Sequence, residues 1–170
     1  METYASNLQE LLTSPLLTGH NPDIKLVLIT SPPTCSYRCA EHDRESGREP
    51  ERTAEHTALY AAKAKSVAQN LKIPHVDLWT GFLLAAGWKH GDPLLGSIHV
   101  PKSERLGELL PDGLHFSAEG NQLCFRLIFE KIREAYPELD PEKMVTNVPM
   151  WDRQKDILAI LKESVAKFSE

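Results

Sequence analysis

The sequence has no run approaching the roughly 18 apolar residues that span a bilayer, so a membrane-spanning helix is not expected. It has no basic stretch either: 19 lysines and arginines face 24 acidic residues, for a net charge of −5. A surface that tracks phosphates needs clustered positive charge, so nucleic acid is not an expected partner. The N-terminus, METYASNLQELL, lacks a basic start followed by an apolar segment. It does not read as a secretory signal, and the expected compartment is the cytoplasm. Repeats and low-complexity tracts are absent. Cysteines are few: Cys35, Cys39 and Cys124. An odd number does not close a disulfide framework. Cys35 and Cys39 have the spacing of a zinc knuckle, but no second pair at ligand spacing follows, His42 and His56 being the nearest. Structural zinc takes four ligands, so these are read as reduced thiols, with no metal site. No cofactor signal is found.

What is present is a chain of 170 residues, 41% hydrophobic and 25% charged, enough for one domain with a real core. The opening segment aligns Tyr4, Leu8, Leu11 and Leu12 on one helical face. Residues 18–23 carry turn residues. Residues 24–30 are short, apolar and rich in β-branched side chains, so they read as a buried strand that Ser31-Pro32-Pro33 stops. Residues 35–50 are polar and read as a loop. Residues 51–72 have helical spacing, with Leu59, Ala62, Val67, Ala68 and Leu71 as apolar positions, and residues 73–79 read as a second strand. Strand, helix and strand in this order form a βαβ unit with a parallel pair. A short helix near residues 82–88 and an irregular lobe follow. Ser117 is read as the N-cap of a helix running to about Tyr136, burying Leu123, Leu127, Ile128 and Ile132. A last amphipathic helix is expected over residues 152–168, with Ile157, Leu158, Leu161, Val165 and Phe168 on its apolar side.

The informative stretch is Leu110-Pro111-Asp112-Gly113-Leu114-His115-Phe116-Ser117. A turn at Asp112-Gly113 brings a carboxylate beside an imidazole. Such a carboxylate fixes the ring tautomer through the Nδ1 hydrogen and stabilises the imidazolium formed when Nε2 takes a proton. This is the base half of a nucleophile, base and orienter arrangement. The spacing alone is unspecific, and most such pairs are surface turns.

Several blocks in order give the chain a resemblance to the SGNH/GDSL hydrolases, and within them to the isoamyl-acetate-hydrolysing esterase group. Residues Leu26-Val27-Leu28-Ile29-Thr30-Ser31-Pro32-Pro33 look like the family's fourth strand and its prolines. His75-Val76-Asp77-Leu78-Trp79 look like its fifth. Asp112 to Asn121 resemble its last block, D-G-L-H-x-[ST]-x-x-G. Pro137-Glu138-Leu139-Asp140-Pro141 and Pro149-Met150-Trp151 resemble the tail of that esterase group, so the match runs over roughly residues 2–155. The resemblance implies carboxylic-ester hydrolysis through an acyl-enzyme, with Asp112 as orienter and His115 as general base. It implies an α/β fold, the SGNH (flavodoxin-like) three-layer α/β/α sandwich, here N-terminally truncated to about two parallel strands plus helices. Residues 1–150 would be the C-terminal part of one such domain and residues 151–170 a C-terminal amphipathic helix. An acyltransferase variant stays open, since an acyl-enzyme can pass its acyl group to an alcohol.

The family's nucleophile block G-D-S, its oxyanion-hole glycine and its G-x-N-D block have no counterpart here; Asn70, Asn121 and Asn147 lack that setting. The expectation is that these blocks form one contiguous portion preceding Met1. Nothing gives Ser31, Ser36 or Ser117 a strained elbow or nearby donors, so they are read as loop or cap residues. The chain by itself is therefore expected to be inactive or nearly so, and a non-catalytic remnant binding an acyl ligand or a protein partner is the alternative. His75 is read as a core histidine, and His20, His42, His56, His90 and His99 as exposed. Asp77 is read as a structural acceptor, and Trp79, Phe82 and Trp88 as core. By the resemblance, Phe82, Leu84 and Leu109 are weak pocket candidates. The expected substrate is a small acyl ester. The first strand would show an apolar edge, so a homodimer or a partner chain covering it is expected.

Overall fold

Two short segments pair in parallel in the structure, a computed structural model that describes residues 1–144 and 152–167. Strand β1 (Leu28–Ile29) lies beside β2 (His75–Val76), with Leu28 opposite His75 and Ile29 opposite Val76. The Leu28 N–H donates to the Pro74 carbonyl at 2.9 Å and the Thr30 N–H to that of Val76 at 3.0 Å. The expected strands over residues 24–30 and 73–79 are thus present but shorter. The second is cut because Asp77 caps a helix: its carboxylate accepts from the Thr80 N–H at 3.0 Å and the Thr80 hydroxyl at 2.8 Å. Leu78 and Trp79 therefore turn into a helix rather than extending the ladder.

The helices in chain order are α1 (Glu2–Leu12), α2 (Pro15–His20), α3 (Ser36–Glu45), α4 (Ala54–Leu71), α5 (Leu78–Ala85), α6 (Glu104–Leu109), α7 (Ala118–Ala135) and α8 (Gln154–Lys167). Three differ from expectation. Helix α2 replaces much of the turn over residues 18–23, with Ser14 accepting from the Leu16 N–H and Pro15 in its first turn. Helix α3 replaces the loop expected over residues 35–50. The short helix expected near residues 82–88 begins earlier, at Leu78.

Side chains alternate across a strand, so the two faces of the pair bury different sets. Leu28 packs with Ala64 and Ala68 of α4 and with Tyr4, Leu8 and Leu12 of α1. Alanines along α4 favour the helix and let it approach the strands closely. Leu11 falls outside this face, 66% exposed, as does Leu59 of α4 at 55%. Val76 joins the larger core of Leu78, Phe82, Leu83, Leu106, Leu109, Leu110, Leu123 and Cys35. The sequence expectation of core for Phe82 holds, and Phe82 and Leu109 are too deeply buried for the pocket role the resemblance suggested. Phe82 stacks on Phe116 with ring centroids 4.8 Å apart, which ties the core to the residue after His115.

By its packing the chain divides into two units, Met1–Pro137 and Glu138–Glu170. The second contains α8, along which Leu158 is 56% and Ile160 40% exposed. Of the expected features, Phe168 and residues 149–151 lie outside the described residues, as do the side chains of Leu161 and Val165. Among the described residues no helix is long and apolar enough to cross a membrane.

Candidate active site

Helix α6 ends at Leu109, α7 begins at Ala118, and the turn between them carries Asp112 and His115. Both ends of this turn are pinned. The Ser117 N–H donates to the Leu109 carbonyl at 3.0 Å, and the Ser117 hydroxyl caps α7 by accepting from the Gly120 N–H at 3.1 Å. In its middle the Gly113 N–H donates to the Leu110 carbonyl at 3.0 Å. Gly113 has φ of +87°, and a Cβ there would lie 2.5 Å from the Cys35 carbonyl oxygen and 2.7 Å from the Cys39 nitrogen. Only glycine suits both the conformation and the space. The Gly113 carbonyl in turn accepts from the Cys35 N–H at 2.9 Å, docking the turn on the start of α3.

Within this frame Asp112 Oδ1 accepts from the backbone N–H groups of Leu114 at 2.9 Å and His115 at 2.8 Å. Its other oxygen, Oδ2, lies 2.5 Å from His115 Nδ1. An ionised carboxylate only accepts, so Nδ1 carries the hydrogen and Nε2 is the basic nitrogen of the neutral ring. Burial pushes the Asp112 carboxyl up, but the hydrogen bonds from the His115 ring and the Leu114 and His115 backbone outweigh it. The carboxyl is held at about 2, below the ordinary 3.8. The His115 side chain is 79% exposed and that of Asp112 28%. The arrangement is chemically able to hold a ring in one tautomer and to stabilise it once protonated.

The serines weighed as substitutes lie elsewhere. Ser36 Oγ accepts from the Ala54 N–H at 2.7 Å, and Ser117 Oγ is used by the α7 cap. Ser31 Oγ is buried without a hydrogen-bond partner. None of the three is brought to His115 by a hydrogen bond. The nearby thiols are not activated: burial first, then the charges of Cys35, Asp112 and Asp43, pushes Cys39 up to about 11. Cys35 is likewise raised by burial. A thiolate nucleophile at neutral pH needs the opposite shift. Leu84 is half exposed in a shallow cleft with His75 and Leu127, away from the turn.

Sequence reasoning missed the contribution of α3. Besides the Cys35 bond, the Tyr37 hydroxyl donates to the Ser103 carbonyl at 3.1 Å and accepts from the Ser103 N–H at 3.0 Å. Arg38 Nη1 donates to the Pro111 carbonyl at 3.0 Å. The available signal was faint: Cys39, Ala40 and Asp43 recur at helical spacing and are buried, but in a mostly charged segment.

No family model matches the sequence. An isoamyl acetate-hydrolyzing esterase 1 homolog of Bos taurus is 26% identical over 149 residues, 88% of this chain and 49% of that protein. A GDSL esterase/lipase of Arabidopsis thaliana is 29% identical over 154 residues, 88% of this chain and 55% of its own length. An isoamyl acetate-hydrolyzing esterase 1 homolog of Homo sapiens is 26% identical over 150 residues, with 88% and 49% covered. The chain thus spans about half the length of these curated relatives. Over 88% of its length, then, the chain is similar to proteins named as esterases, one of them a GDSL esterase/lipase, in line with the resemblance drawn from its sequence blocks.

Proposed function

We propose that the chain carries the acid–base half of a carboxylic-ester hydrolase of SGNH/GDSL type, acting on a small acyl ester in the cytoplasm. The observation that carries this reading is the 2.5 Å contact of His115 Nδ1 with Asp112 Oδ2 on a ring whose side chain is 79% exposed. With Nδ1–H given to Asp112, Nε2 takes the proton of a serine hydroxyl as its oxygen bonds to the ester carbonyl carbon. The carbonyl electron pair moves onto oxygen, and Asp112 stabilises the imidazolium. Collapse expels the alcohol, which receives the proton from Nε2. Water, deprotonated by the same nitrogen, then releases the acyl group as a carboxylic acid.

In this reading β1 and β2 are the last two strands of a five-stranded parallel sheet in a three-layer sandwich. The serine and the oxyanion donors belong to the part of the fold that the relatives carry beyond the matched region. The outer edge of β1, where Ile29 is 43% exposed, receives the neighbouring strand from a partner chain or a second copy. A second reading, a non-catalytic remnant, is favoured by Ser31, Ser36 and Ser117 all lying without a hydrogen bond to His115.

The test measures hydrolysis of a chromogenic acetyl ester by the chain alone and by the chain fused to the uncovered half of the bovine relative, each with and without His115→Ala. The chain alone is expected to match its His115→Ala variant. The fusion is expected to turn over, and His115→Ala to lower its rate by about 10³-fold or more. A fusion whose turnover ignores His115→Ala refutes the assignment of the base. A folded fusion without turnover favours the non-catalytic reading.

A further inference from the structure

Arg38 stands on the first turn of α3 with its guanidinium spread over Gly107 of α6. A Cβ at position 107 would run into Nη2, Nε and Cζ of Arg38, so the seat exists because residue 107 is glycine. From that seat Nη1 reaches the carbonyl of Pro111, the residue before Asp112, at 3.0 Å. Two features make the seat hard to explain as a device for stability. Arg38 Nε is buried with no hydrogen-bond partner, a group that native structures rarely leave unsatisfied. The ion pair to Glu104 is 3.8 Å long, and the Glu104 side chain is 86% exposed, a kind of contact that contributes little. What the seat does achieve is to tie α3, α6 and the turn together immediately upstream of the carboxylate. The guanidinium fork is planar and rigid, so fixing one of its nitrogens on the Pro111 carbonyl fixes the carbonyl in return.

We propose that Arg38, seated over Gly107, is a positioning residue that holds the Pro111 carbonyl and thereby aligns Asp112 with His115. This rests on the reading of that pair as the acid–base half of an esterase, and gives it a supporting residue outside the family-like block. Arg38 acts through the backbone, by its bond to the Pro111 carbonyl; the Asp112 carboxyl itself is raised by burial and lowered further by hydrogen bonds from the His115 ring and the Leu114 and His115 backbone. Tyr37 on Ser103 and Cys35 on Gly113 hold the same two segments at other points, so the fold survives loss of the Arg38 tie while the pair loses its alignment.

The test reads the pair directly in the whole chain by NMR, without ester turnover. Two signals are followed: the low-field Nδ1 proton of His115 and the pH at which the Asp112 carboxyl carbon titrates. Arg38→Ala removes the tie. Gly107→Ala evicts the guanidinium by another route, since the atoms it meets are the far end of a flexible side chain. Each variant is expected to weaken the low-field signal and to move the Asp112 midpoint from about 2 toward 3.8. The double variant is expected to add nothing further, because both changes break one contact. Arg38→Lys keeps one donor and is expected to fall between. A native amide spectrum accompanies each, so unfolding is told apart from misalignment. Unchanged signals in either single variant overturn the proposal, as do additive effects in the double variant. Because turnover is never read, failure of the esterase reading leaves this result interpretable, and the reverse holds too.

Discussion

Gly113→Ala puts the docking of the turn to a quantitative test. The substitution adds one methyl group at φ of +87°, with the Cys35 carbonyl oxygen at 2.5 Å, the Cys39 nitrogen at 2.7 Å and the Cys39 sulfur at 2.9 Å. Two of these are backbone atoms at the start of a helix, so they cannot rotate away. A left-handed conformation costs an L-residue about 1–2 kcal/mol. Forcing a methyl into packed backbone adds about 1–3 kcal/mol, and loss of the Cys35 N–H bond to the Gly113 carbonyl about 1 kcal/mol. The expected total is about 3–6 kcal/mol. Gly47→Ala is the control, since Gly47 has φ of +71° and nothing within 4 Å of its Cβ position. It is expected to cost only the conformational part, about 1–2 kcal/mol. Urea unfolding followed by circular dichroism measures both, with unchanged slopes required for comparison. Equal losses in the two variants, or a Gly113→Ala loss under about 1 kcal/mol, would refute the claim that the turn is held by close backbone contact.

Asp112→Asn removes a carboxyl whose folded value, about 2, lies below its ordinary 3.8. A depressed carboxyl stabilises the fold above the ordinary value and loses that contribution as pH falls through the folded one. The full gap would exceed 2 kcal/mol, but the exposed His115 ring is screened by solvent, so about 1 kcal/mol is expected. Urea midpoints of the two proteins should differ at pH 6 and converge toward pH 2. Lys72→Gly relieves φ of +57° at the C-terminal cap of α4, where the Ile73 N–H donates to the Ala68 carbonyl at 2.9 Å. Set against the entropy of glycine, a gain of about 0.5–1 kcal/mol is expected in the same assay, and a loss would contradict the strain. Ser31→Ala removes a buried hydroxyl with no partner. A gain of about 1 kcal/mol is expected, seen as a melting temperature about 2–4 °C higher; a lower one would mean the hydroxyl has a hidden acceptor.

What was legible in the sequence was what depends on neighbours in the chain. Asp112 and His115 are three apart around a glycine, so their meeting needed only a turn. The Ser117 cap and the length of α7 follow from a similar local signal. The strands were legible in place and direction but not in length. Ile24, Leu26 and Val27 are as apolar as Leu28 and Ile29, yet the ladder forms only where β2 provides partners, and Asp77 ends β2 by capping α5. Helix α3 was missed because its buried face is made of Ser36, Cys39, Ala40 and Asp43, residues that read as polar or small. Asp43 is buried at 4% exposure because Arg48 folds back to pair with it at 2.9 Å, a contact no periodicity announces. For the same reason Arg38 was invisible: its partner Pro111 is 73 residues away.

The nearness of Asp112 and His115 along the chain bears on how such a pair is inherited. Closing a loop of a few residues takes little from chain entropy and happens far faster than the long-range pairing of parallel strands. The two groups therefore need no completed sheet in order to meet, and a recombination or splicing event rarely falls within the three positions that separate them. A base and an orienter drawn from distant segments would be separated by the first cut between them. Here the carboxylate and the imidazole share one turn, so the geometry between them is copied as one piece.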